Sequence, residues 1–251
     1  ATFIADGRDE VLTATRENLR FGASQIKLMA GGGSSSDYDP IDVTQYLPEE
    51  LSAAVAAAED WGTYVAVHAY TPRAVRRAVD AGVRSVEHGQ LLDEDTIAYL
   101  AGKGVWLSLQ NLPPPLPTDP PERKAKKAEV ARGSDFAWAT AKRLGVRMAW
   151  GTDFLFRPQE NAQQNAYILK LSKWFTPAEA LRLITHDNAQ LLALSGLRSP
   201  YRGELGVVAE GALADLILVD GDPVANLALV ADPERNFRLI MKDGVIYKNS
   251  L

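Results

Sequence analysis

Residues 63–89 read "TYVAVHAYTPRAVRRAVDAGVRSVEHG". A β-branched and aromatic run ends at His68. Thr71 then stands as a helix cap, Pro72 opens the helix and Gly82 stops it, and a second short strand ends at His88. Strand, helix and strand of these lengths make one βαβ unit, which implies parallel pairing.

The same rhythm extends in both directions. Upstream, a helix from about Asp9 to Phe21 precedes "QIKLMA" (25–30), a short apolar strand bounded by the glycines of "GGG" (31–33). "YLPEELSAAVAAAEDWG" (46–62) is a helix with Pro48 in its first turn and Gly62 past its end. Downstream come a helix in "LDEDTIAYLAGKG" (92–104), a strand in "VWLSLQ" (105–110), the proline-rich loop "NLPPPLPTDPPE" (111–122), a long helix from about Arg123 to Leu144 and a strand in "VRMAWGTD" (146–153) ending at Asp153. Helices over 162–173 and 177–194 close the series, giving five strands alternating with helices. After residue 203 the texture changes to glycine-turned strands with no helices between them, and "KDGVIY" (242–247) is a hairpin about its Asp-Gly turn. The expected division is therefore a parallel α/β portion over 1–202 and a β segment over 203–251.

Composition narrows the function. The chain has 251 residues, 46% of them hydrophobic, which is enough to bury a substantial core. A net charge of -5 with scattered basic residues leaves no footprint for nucleic acid, and the one basic run, "ERKAKK" (122–127), reads as a solvated helix face. No apolar stretch approaches the roughly 18 residues of a membrane span, so a soluble cytoplasmic or periplasmic protein with no membrane partner is expected. Zero cysteines exclude disulfides, thiolate ligands and a cysteine nucleophile.

Lys27, His68, His88 and Asp153 each fall at the carboxyl end of an expected parallel strand, the end at which a (β/α) barrel builds its active site. Two histidines and a carboxylate suit Zn²⁺ or a similar divalent ion. Lys27 is the discordant member, because an ammonium is costly to bury and repels a cation. Carboxylation by carbon dioxide would remove that charge and supply two anionic oxygens. Tyr70, two residues past His68, is placed to donate its hydroxyl to an oxyanion or substrate carboxylate, or to pack as a rim aromatic. The proline-rich loop, with Trp106, Gln110 and Asn111 ahead of it, is placed to shape a preformed pocket wall, or to be a surface loop without function. Arg157 is placed to hold a substrate carboxylate or to form a surface ion pair. His186, inside a late helix, reads as structural or as a surface residue.

"QIKLMAGGG", "VHAYTP", "SVEHG", "WGTD" and "GALADLILVDGDP" together resemble the amidohydrolase superfamily, in its imidazolonepropionase-like and Xaa-Pro dipeptidase-like branch. The resemblance implies a (β/α)8 TIM-barrel metal-dependent hydrolase, here with about five of eight strands, and a small C-terminal β-sandwich part. It implies that Lys27 is the carboxylated lysine bridging two divalent metals such as zinc, that His68 and His88 ligate the second metal, and that Asp153 ligates the first and serves as general base and acid. The activity implied is cleavage of an amide-type C–N bond by a metal-activated hydroxide, with a dipeptide, N-acyl amino acid or cyclic amide as the small-molecule substrate. Tyr70, Gln110 and Arg157 are the expected substrate-contacting residues, with Tyr70 and Asp153 catalytic.

The resemblance also implies a His-x-His pair on the first barrel strand, and none of the 3 histidines here are two apart. Five strands cannot close an eight-stranded barrel and would leave edges open. The expectation is a carboxyl-terminal part completed by a missing N-terminal segment or a companion chain, in an oligomer, with a catalytically incomplete half-barrel as the alternative.

Overall fold

A computed structural model describes residues 2–154 and 157–251. The alternation is present as α1 (Arg8–Arg20), β1 (Ile26–Met29), α2 (Pro48–Asp60), β2 (Val65–Ala69), α3 (Pro72–Asp80), β3 (Ser85–His88), α4 (Glu94–Lys103), β4 (Trp106–Gln110), α5 (Pro121–Arg143) and β5 (Arg147–Gly151). The five strands form one sheet in chain order, β1-β2-β3-β4-β5. Parallel registers place Ile26 opposite Val65, Ala66 opposite Ser85 and Ser85 opposite Trp106.

The central strands β2 and β4 are buried along their whole lengths. Covered on both faces, they carry adjacent apolar residues, Val65–Val67 and Trp106–Leu107, with the polar Ser108, His68 and Gln110 also buried. β1 differs: Ile26 is buried while Lys27 and Met29 are exposed. The expectations of a lysine inside a buried strand and at its carboxyl end are thus corrected, since Lys27 is the second of the 4 residues of β1. β1 is an edge strand paired only with β2 among the described residues, and its open side leaves Lys27 in solvent.

Helix starts follow their prolines, with Pro48, Pro72 and Pro121 in first turns. Asp93 caps α4 by accepting from the Thr96 amide at 2.8 Å. Thr71 makes no such bond, and its hydroxyl is buried without a hydrogen-bond partner. The expected cap at α3 is therefore absent, and Pro72 alone sets the entry.

The 122–127 run is not a solvated face. The side chains of Arg123, Lys126 and Lys127 are 26%, 14% and 13% exposed. Lys126 Nζ donates to the carbonyls of Gly33, Ser36 and Asp39 at 3.3, 3.0 and 2.6 Å. Arg123 reaches Asp37 and Asp119, and Lys127 reaches Asp119. The run fastens the 31–40 loop and the end of the proline-rich loop to α5. The carbonyls that Lys126 reaches lie about 90 positions away, so local charge pattern could not reveal them, whereas Asp119 is four and eight positions from Arg123 and Lys127.

The chain divides into two compact units, Ala1–Met148 with Ala193–Pro200, and Ala149–Leu192 with Tyr201–Leu251. In the second unit the expected helices are interrupted. Residues 158–173 run as 3-10 turns either side of a short α segment, and Leu183–Asp187 widens to a π turn. Beside that turn, the Asn188 amide brackets Trp150, accepting from its N–H and donating to its carbonyl, each at 2.9 Å. The same unit holds an antiparallel sheet of β6 (Leu216–Val219), β7 (Phe237–Lys242) and β8 (Val245–Asn249). The β7–β8 turn has Asp243 and Gly244 at φ +49° and +75°, as a type I′ hairpin requires. No helix among the described residues is long and apolar enough to cross a membrane.

Candidate active site

The registers of β2 and β3 pose a geometric problem. His68 stands opposite Glu87, and Ala69 opposite His88, so regular pleating would send the two histidines to opposite faces. His88 breaks the pleat with φ +85°, and Gly89 follows at +70°. A left-handed conformation at a non-glycine residue costs on the order of 1–3 kcal/mol and persists only where its surroundings enforce it. Here it brings the imidazoles together, with ring centroids 4.4 Å apart and nearly perpendicular planes. Tyr70 completes a triangle, 5.0 Å from each ring.

His68, His88 and Tyr70 are 5%, 3% and 2% exposed. Burial pushes His68 below the ordinary imidazole value; the Gly32 carbonyl works in the opposite direction, and the Lys27 ammonium lowers it further. His88 is held well below that value, first by burial and then by His68 and Lys27. Both rings are consequently neutral near pH 7, the state in which imidazole ligates metal. Lys27, although exposed, is close enough to act electrostatically on both.

His68 Nε2 lies 2.9 Å from the Gly32 carbonyl. A carbonyl only accepts, so neutral His68 carries its proton on Nε2 and keeps a lone pair on Nδ1. Gly32 is obligatory at that position, because a Cβ there would lie 1.9 Å from the Pro40 carbonyl oxygen. Lys126, bonded to the next carbonyl along, holds the loop in place. The Tyr70 hydroxyl lies 3.1 Å from the Ser34 hydroxyl, and its ring packs with Ile41 and Val130. It sits inside the core and not on a rim.

Gln110, at the end of β4, is 4% exposed, and its amide meets His88 Nδ1 at 2.5 Å and the Gln90 amide at 2.7 Å. Gln90, Ser34, Gly32 and Lys126 were not singled out from sequence. The available signal was position: Gln90 follows a strand-end histidine by two residues, and Gly32 and Ser34 lie in the loop that follows β1.

Asp153 and Arg157 belong to the other compact unit. Asp153 lies two residues past β5, exposed, with φ +53°. Arg157 is buried and donates to Glu160 at 2.8 Å, so its ion pair is an internal one. His186, in the π turn, is half-buried with its Nδ1 2.8 Å from Asp187. The imidazole pair suits two ligand positions of a divalent cation. Among the described residues no group of three or more His, Cys, Asp or Glu side chains is arranged to hold a metal ion.

The sequence profile of the amidohydrolase family matches residues 1–248. Ochratoxinase from Aspergillus niger is 29% identical over 251 residues, covering 98% of this chain and 50% of the enzyme. Among solved structures, an amidohydrolase is 37% identical with a TM-score of 0.89 over 99% of this chain and 60% of its own. A prolidase complexed with N-methylphosphonate-L-proline is 35% identical, with a TM-score of 0.89 over 98% and 60%. The chain thus spans about half the length of the curated relatives it matches.

Proposed function

The chain belongs to the amidohydrolase family, and from that premise we propose that it supplies the second-metal half of the active site of a metal-dependent hydrolase of amide-type C–N bonds. The carrying observation is the buried, neutral His68–His88 pair, brought together by a left-handed residue at the end of β3. Lys27, on the edge strand and electrostatically coupled to both rings, is the residue for carboxylation by carbon dioxide, and its carbamate would stand beside the histidines as a further ligand. Zinc is the ion best matched to imidazole and carboxylate donors. The chemistry such an ion supplies when bound is Lewis acidity, acidifying water and polarising the amide carbonyl.

The remaining work falls to this chain's own groups. Asp153 accepts the proton of the attacking water and returns it to the leaving nitrogen, with its carboxylate placed by a backbone that Asp adopts more readily than most residues. Tyr70 presents its hydroxyl, shared with Ser34, toward the developing oxyanion. Arg157, buried and already paired with Glu160, does not argue for a substrate carboxylate, and a dipeptide or N-acyl amino acid is proposed from the relatives instead. The names of the prolidase and of a Xaa-Pro dipeptidase, 26% identical with a TM-score of 0.79, support that class.

No His-x-His pair is present, so the first-metal ligands come from outside this sequence, from an N-terminal segment or a companion chain, in an oligomeric enzyme. The open edge at β1 supports that assembly. The absence of a three-ligand group among the described residues favours a second reading, a half-barrel without turnover of its own. Metal content and hydrolysis of N-acyl amino acids by the assembled protein decide between them. Bound zinc that disappears in His68→Asn together with hydrolysis supports the enzyme; a zinc-free assembly whose Asp153→Asn variant hydrolyses as the parent does would sink it.

A further inference from the structure

The loop that follows β1 closes on itself. The Gly33 amide donates to Asp39 Oδ2 at 2.8 Å, the Ser36 hydroxyl donates to the Gly33 carbonyl at 3.2 Å, and a Cβ at Gly33 would lie 2.6 Å from that hydroxyl. The turn so formed aims four oxygens at one point. They are the carbonyls of Gly33, Ser36 and Asp39, at 3.3, 3.0 and 2.6 Å from Lys126 Nζ, and Asp39 Oδ1 at 3.7 Å. Oδ1 is buried with no hydrogen-bond partner of its own.

An ammonium has three N–H donors and no acceptor. Here three carbonyls take all three donors, and the Asp39 carboxylate balances the charge. Carbonyl oxygens gathered in this way also replace the hydration shell of potassium in ion-selective sites. What the loop requires is a compact positive charge, and the stem of Lys126, whose side chain is 14% exposed, delivers one from α5. The same cage borders the imidazole site. On one side of Gly33, the Gly32 carbonyl lies 2.9 Å from His68 Nε2, and on the other the Ser34 hydroxyl lies 3.1 Å from that of Tyr70. Holding the Gly33 carbonyl fixes the planar peptide that leads to Ser34.

We propose that residues 33–39 form a four-oxygen site for a monovalent cation, filled from within by the Lys126 ammonium, and that Lys126 is thereby a positioning residue for His68 and Tyr70. The effect on hydrolysis rests on the function read above, and the cation site does not.

The test uses the complete protein that carries this chain. Lys126→Ala deletes three methylenes and the ammonium, the atoms that propylammonium restores. Tm and kcat/KM are read in equal concentrations of propylammonium, potassium and tetramethylammonium chlorides, the last cation being too bulky for the cage. Lys126→Ala is expected to have a lower Tm and, where it is still folded, a kcat/KM lower by about 10–100-fold, as for loss of an outer hydrogen bond to a ligand. Propylammonium and potassium recover both, and tetramethylammonium recovers neither. Lys126→Met, whose apolar stem fills the same channel, shows the loss without the recovery, and wild type responds alike to all three salts. A Lys126→Ala protein with one Tm in all three salts overturns the cation site. If that variant fails to fold in tetramethylammonium, its refolded yield in propylammonium becomes the readout, and no gain overturns the site equally. Recovery of Tm with a kcat/KM that never fell overturns the positioning role. Recovery of Tm in a protein whose wild type hydrolyses no amide overturns the hydrolase reading instead and leaves the cation site standing.

Discussion

The middle of the sheet and its edges finish their strand ends differently. At the ends of β2 and β3, His68 and His88 are buried, neutral and each held by a hydrogen bond through one nitrogen. At the outer strands, Lys27 on β1 and Asp153 after β5 are exposed. A central strand is covered by two neighbours and by the helices of both crossovers, so its end residue arrives in an enclosed environment. An edge strand has one neighbour, and the environment of its functional residue waits on whatever pairs with the open side. The imidazole pair is therefore enclosed by residues of this chain, whereas Lys27 and Asp153 stand exposed in it.

Four measurements press on this contrast. The largest effect is expected at the centre: His88→Asn in the assembled protein removes a direct ligand and lowers hydrolysis beyond the roughly 100-fold that loss of an outer hydrogen bond costs, read as kcat/KM with zinc content on the same sample. Next is Gly32→Ala. Its Cβ would lie 1.9 Å from the Pro40 carbonyl oxygen, and displacing that backbone costs about 1–3 kcal/mol by denaturant unfolding. Loss of zinc without loss of stability there would show that the loop carries only the His68 hydrogen bond. Lys126→Met leaves the Gly33, Ser36 and Asp39 carbonyls without their charged donor and should cost about 1.5–3 kcal/mol. A neutral result would return the 122–127 run to the surface role its charge suggests.

The smallest effect on stability belongs to the edge. Lys27→Met should change stability by no more than about 0.5 kcal/mol, because the side chain is exposed, yet abolish hydrolysis if the carbamate is formed there. Unchanged hydrolysis would remove Lys27 from the site.

Acidity separates the same two regions. Both imidazoles have folded-state values below the unfolded one, so the unfolded chain binds more protons once pH falls under about 6.5. The stability linked to them is fully present above that pH and is lost on acidification, with a slope of up to about 1.4 kcal/mol per pH unit for each histidine. Urea unfolding of metal-free protein between pH 7 and pH 5 checks this, and His88→Asn should flatten the slope.

Much of this arrangement was legible in the sequence. Proline and glycine punctuation marked the five strands and their helices, the Asp-Gly turn marked the final hairpin, and strand-end positions picked out His68 and His88. What was not legible depends on contacts made across the fold. The left-handed φ of His88 is imposed by its surroundings and not by its residue type. The Gln90–Gln110 contact joins residues 20 positions apart, and Lys126 finds its carbonyls some 90 positions away. The late helices read as regular over 162–173 and 177–194, but 3-10 turns flank a short α segment in the first and a π turn at Leu183–Asp187, beside the Asn188 contact to Trp150, interrupts the second.

Native mass spectrometry with metal counting, on the assembled protein carrying this chain, bears most directly on a half-site preformed at the sheet centre. Wild type should hold one more divalent ion than His68→Asn and His88→Asn, together with an acid-labile carbon dioxide adduct that Lys27→Met lacks. Equal metal content in all three proteins, with no adduct in wild type, would contradict it.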